Sequence, residues 1–131
     1  MNLIEELKKD HQELNTLVRN IKKLGVHTME GRNVLCDAKE KLLDHLKKED
    51  DQLYPILNEN AENNPDLKKL IDNFEQEMTS ITSYAEKFFR KYSIEGGGID
   101  FLEDYKTLQS SLSNRIEKEE QILFNKYLEI K

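Results

Sequence analysis

The chain has no tryptophan, one cysteine, two prolines and five glycines in 131 residues. Each scarcity excludes something. A single thiol, Cys36, cannot close an internal disulfide or build a cysteine-rich zinc site. No apolar run approaches the length needed to span a bilayer. The N-terminus lacks a charged segment followed by an apolar one, so the expectation is a cytoplasmic protein with no membrane partner. Positive charge is also short: 20 Lys and Arg stand against 26 Asp and Glu, a net −6, with the bases scattered among the acids. That pattern argues against nucleic acid as the partner. The length suits one domain, expected over 1–131, with one hydrophobic core.

The few helix breakers fall in three places. Gly25 and Gly31 bracket the first, Pro55 and Pro65 the second, and Gly96, Gly97 and Gly98 form the third. The polar run NENAENN precedes Pro65. Between the breaks Leu, Glu, Lys and Gln dominate, all good helix formers. The sequence therefore predicts four helices, over 2–24, 31–58, 66–93 and 99–128. Short connections between them predict an all-α fold, an up-down-up-down antiparallel four-helix bundle.

Each predicted helix carries a seam of three-and-four spacing. The first seam runs Ile4, Leu7, His11, Leu14, Val18, Ile21. The second runs Leu35, Ala38, Leu42, His45, Glu49, Gln52, Ile56, widened by Leu46 and Leu53. The third runs Leu67, Ile71, Phe74, Met78, Ile81, Ala85, Phe88, Tyr92. The fourth runs Phe101, Tyr105, Leu108, Leu112, Arg115, Glu119, Ile122.

Five residues on these seams do not suit an apolar core: His11, His45, Glu49, Arg115 and Glu119. Taken singly each has an ordinary explanation. A seam histidine is commonly a hydrogen-bonded core or rim residue, and i,i+4 charge pairs are common on helix surfaces. Met78 suits core filling, Cys36 lies off the seam, and His27 sits in a loop. The combination is harder to dismiss, because three helices place these side chains at similar depths. A buried carboxylate without a partner costs several kcal/mol or more. Two such glutamates need a cation, a donor or a proton, and bundle cores build metal sites in this way.

The segments DHQEL around His11, HLKKEDDQLYP from His45 to Pro55, FEQEMTSI from Phe74 to Ile81 and RIEKEEQILF from Arg115 resemble the hemerythrin-like family, the HHE cation-binding domain. The resemblance covers nearly the whole chain. It implies a four-helix bundle around a non-haem di-iron centre, with activities such as oxygen binding, oxygen or iron sensing, and handling of nitric oxide or peroxide. By motif, His11 and His45 match the histidines of one iron, and Glu49 and Glu119 match the two carboxylates. The other iron's histidines fall at Met78 and Arg115 in this chain. A thioether suits a hard iron site poorly, and a guanidinium is always protonated.

The expected metal ligands are therefore His11, His45, Glu49 and Glu119. They suit one ion, iron first, with manganese or zinc also compatible. Arg115 is expected to replace the second ion electrostatically, reaching Glu119 and Glu49. The functional expectation is a hemerythrin-like protein that binds or senses a metal or a small ligand such as a diatomic gas or small anion. No catalytic residue is assigned. The alternative is a metal-free bundle serving as a protein-interaction module for an unidentified partner. An oxidase or peroxidase ranks third, since no further acid–base constellation is present.

Overall fold

The computed structural model describes residues 2–94 and 100–130. The first rod is Leu3–Leu24. Asn2 starts it, its side-chain oxygen accepting the Glu5 N–H at 2.9 Å, which satisfies a donor that the helix itself leaves free. Gly25 ends it with φ 73, and its N–H caps the Ile21 carbonyl. That left-handed conformation favours glycine. Thr28 caps the next helix through the Gly31 N–H at 3.0 Å. A side chain at Gly31 would collide with the Gly25 carbonyl, so the tight corner depends on both glycines.

The second rod begins as Met29–Lys48, passes through a π-helical turn at Glu49–Leu53 and resumes as Tyr54–Ala61. The third is Pro65–Ile94, entered through Asn64, whose side chain accepts the Leu67 N–H at 3.1 Å. The fourth is built like the second: Phe101–Lys118, a π turn at Glu119–Leu123, then Phe124–Ile130. The expected glycine break at 96–98 and the expected helix start at 99 lie outside the described residues. Pro55 does not break the second rod. It follows directly on the π turn, where the hydrogen-bond ladder is already spaced for five residues, so its ring and missing N–H are tolerated.

The result is an all-α helical bundle, with no strand among the described residues. Two apolar clusters fill it. One includes Leu14, Val18, Leu42, Phe88, Tyr92 and Leu108; the other includes Leu7, Leu53, Leu57, Ile71, Leu123 and Phe124. Asp10, His11, His45, Glu49, Arg115 and Glu119 are all buried. Along each rod they fall at the junction of the two clusters, so a polar layer interrupts the core.

The expected seams hold up to that layer and slip beyond it. Past Glu49 the buried positions are Leu53, Tyr54, Leu57 and Ala61, while Gln52 is exposed and Ile56 only half-buried. Past Glu119 they are Leu123, Phe124 and Tyr127, while Ile122 is exposed. The π turns are the cause. Each puts one extra residue into a turn, which rotates everything downstream by about 100° relative to an unbroken α-helix.

Candidate metal centre

Each π turn opens on a glutamate. The Glu49 carbonyl accepts the Tyr54 N–H, and the Glu119 carbonyl accepts the Phe124 N–H. The slip keeps both acids inward and also swings an aromatic residue onto the polar layer behind each. Phe124 stacks on the His11 ring at 5.5 Å with 11° between planes. The Tyr54 hydroxyl accepts a bond from Arg115 Nη2 at 2.8 Å.

The two imidazoles meet. His11 Nε2 and His45 Nε2 are 3.1 Å apart, and His11 Nε2 is 2.9 Å from Glu119 Oε1. His45 Nε2 lies 3.6 Å from both Glu119 Oε1 and Glu49 Oε2. The far side of each ring is held by a carboxylate. Glu120 Oε2 is 2.9 Å from His11 Nδ1, and Asp10 Oδ2 is 3.2 Å from His45 Nδ1. A carboxylate can only accept at these distances, so both Nδ1 atoms donate outward; by the same rule His11 Nε2 donates to Glu119 Oε1, which leaves His45 Nε2 as the acceptor with its lone pair turned inward. The inner faces then present two ring nitrogens and two carboxylates to one small volume. Acceptor sets of this kind need a cation or added protons, and a carboxylate behind each histidine is how metal-bound imidazoles are usually oriented.

The charges reflect the same crowding. Burial and the neighbouring negative charge of Glu119 push the Glu49 carboxyl well above the usual carboxylate range. Neither Glu49 oxygen has a hydrogen-bond partner among the described residues. Burial presses Glu119 the same way, but its bonds to His11 and His45 and the charge of Arg115 prevail, so it stays ionised. Burial opposes protonation of His11, yet the bonds to Glu119 and Glu120 raise its pKa. Asp10 is held down at about 2: burial opposes ionisation, and Lys41, Lys48 and His45 overcome it.

Arg115 occupies the other half of the polar layer. Its Nε donates to Glu119 Oε2 at 2.9 Å, and its guanidinium lies 4.6 Å from the centre of the Phe74 ring. Glu77 Oε2 is 3.8 Å from Nη1. The expected contact with Glu119 is present. The expected bond to Glu49 is not: Arg115 spends Nη2 on Tyr54, and its charge reaches Glu49 only through space. Met78 is half-buried and lines the same groove as Glu49.

The hemerythrin HHE cation binding domain model matches residues 2–127. The chain belongs to that family. No curated protein and no solved structure matches the chain. Within this HHE domain all four expected site residues are buried side by side. Any two of the ligand atoms offered by His11, His45 and Glu119 lie within 4.8 Å of each other, close enough to share one ion. Glu49 approaches the group through His45.

Three contributors escaped sequence reasoning: Asp10, Glu120 and Tyr54. Asp10 and Glu120 each adjoin a site residue in sequence, and each reaches a ring on another rod. Their signal is a carboxylate one position from a seam histidine or glutamate, which is too common in an acidic chain to single out. Tyr54 was hidden by the π slip, since α-helical spacing from Glu49 points to Gln52 and Ile56.

Proposed function

We propose that this HHE-family chain is a metal-binding protein holding one divalent ion, iron in the first instance, through His11, His45, Glu49 and Glu119. The supporting observation is the pair of inward Nε2 atoms, 3.1 Å apart, backed by Asp10 and Glu120 and facing two buried carboxylates; a bound ion would displace the proton that His11 Nε2 holds against Glu119. Glu49 is the sharpest part of the fit: a side chain 1% exposed with two unpartnered oxygens has an incomplete environment that a cation completes. The opposite half does not fit a second ion, because it offers a guanidinium at Arg115 and a thioether at Met78 in place of ligand nitrogens. A bound iron ion would supply open coordination positions for water, a diatomic gas or a small anion. The residues themselves orient the rings, hold Glu119 ionised and exclude bulk water.

The reading includes an up-down-up-down arrangement of the four rods within one domain. Contacts that run in opposite senses support it: His11 meets Glu119 while the Tyr105 hydroxyl bonds the Val18 carbonyl. Glu77 likewise meets Lys118 while Tyr84 meets Asp104. The role that follows is binding or sensing of a metal or small ligand by a protein of the cytoplasm, without catalysis assigned. The metal-free interaction module is the second reading. It is favoured by Arg115, which already gives Glu119 a fixed cation.

Metal analysis of protein purified without chelator separates the two. About one ion per chain, the stoichiometry of a single closed ligand set, is expected, and His45→Ala removes it. A chain that takes up neither iron, manganese nor zinc when each is supplied is the metal-free module.

A further inference from the structure

We infer that the groove between the second and third rods is a loading vestibule for a hydrated divalent cation, which reaches the centre through Glu49. The inference rests on the reading of the centre as a metal site. The groove encloses about 1020 Å³. One water takes about 30 Å³ of liquid, so a cation enters with its hydration shell intact. Glu49, Asp50, Asp51, Glu75 and Glu86 line it, against Lys47 as the one basic lining residue. Neither Asp50 nor Asp51 forms an ion pair among the described residues, so their fields act on the solvent.

An acidic lining alone would not make a site. The deciding feature is the floor: Glu49 lines the groove, and its carboxyl oxygens lie buried and unpartnered just beneath it. Its Oε2 is 3.6 Å from His45 Nε2, the first nitrogen an incoming ion would meet. Two other approaches carry cations. The crevice between the third and fourth rods, about 290 Å³, is lined by Arg115 and Lys118. On the side of the first and second rods, Lys41 and Lys48 close over Asp10 at 2.9 Å each. On both of those faces the carboxylates are already paired with lysine or arginine, so a cation is drawn most strongly to the groove. Clefts that focus one sign of charge raise association rates by about 10- to 1000-fold.

The test uses Co²⁺ alone, followed by stopped-flow absorption after mixing with metal-free protein. Asp51→Asn combined with Glu75→Gln should slow uptake about tenfold while leaving the final cobalt content and spectrum unchanged. Asp51→Lys with Glu75→Lys should slow it further. Added salt should slow the unaltered protein more than either variant, as expected for screened attraction. Glu77→Gln, in the opposite crevice, should leave the rate within about twofold. Equal rates for the unaltered protein and both groove variants, at equal final occupancy, overturn the vestibule and leave the metal centre standing. No cobalt uptake at all overturns both.

Discussion

At the scale of single residues, Arg115 is the fixed cation of the polar layer. It is 3% exposed and is anchored on three sides, by Glu119, the Tyr54 hydroxyl and the Phe74 ring. Its charge permits Glu119 to remain ionised in a dry core. Removing one partner of a buried pair leaves the other charge uncompensated, at a cost of about 3–5 kcal/mol. Arg115→Met should accordingly lower unfolding free energy by that amount in urea titrations of metal-free protein. An unchanged midpoint would show that Glu119 draws its support from His11 and His45 alone. Because a guanidinium stays protonated throughout the working pH range, the arginine's half of the pair is not lost by titration.

At the scale of elements, the two π turns set the register. Each stores one surplus residue, so shortening there should be tolerated where shortening elsewhere is not. Deletion of the exposed Gln52 is expected to give a folded helical protein with a melting temperature close to that of the full chain. Deletion of the equally exposed Gln12 from the uninterrupted first rod should unfold it, because half of the seam then turns by about 100°. Circular dichroism melts of the two deletions decide the matter; similar losses in both would mean that the π turns carry no spare length. The same feature explains what the sequence made legible. Helix positions, breaks and the seams as far as Glu49 and Glu119 follow from 3.6-residue periodicity and from glycine and proline placement. So does the burial of His11, His45, Arg115 and both glutamates. Gln52, Ile56 and Ile122 were misplaced because α-helical spacing was carried through turns that are not α-helical. The cue lay in His45, Glu49, Leu53, Leu57 and Ala61, five positions at a spacing of four that drift by about 160° in all on an unbroken α-helix. Asp10 and Glu120 were invisible for another reason: their partners are on other rods, and only the packing angle brings them to the rings.

At the scale of the whole molecule, the proposed ion binding would be coupled to folding. The proposed ligands come from three rods, and an ion bound to the folded form alone stabilises it by about 2.7 kcal/mol at one hundred times its dissociation constant. Thermal melts with saturating Fe(II) under anaerobic conditions, or with Zn(II), should shift upward and return on adding a chelator. His45→Ala should melt at the same temperature with and without metal. A shift that survives in His45→Ala would place the ion elsewhere. No helix among the described residues is long and apolar enough to cross a membrane.

The contacts of Asp10 and Glu77 carry one more consequence. Asp10 lies against His45 and Lys48; Glu77 lies against Arg115 and Lys118. With Glu49 and Glu119 each heading a π turn, the two halves of the bundle are lopsided twins, one equipped with imidazoles and the other with a thioether and a guanidinium. Copying the equipment across, by Met78→His together with Arg115→His, should raise the proposed capacity from one ion to two. A count that stays at one would mean the twins differ in backbone placement as well as in side chains.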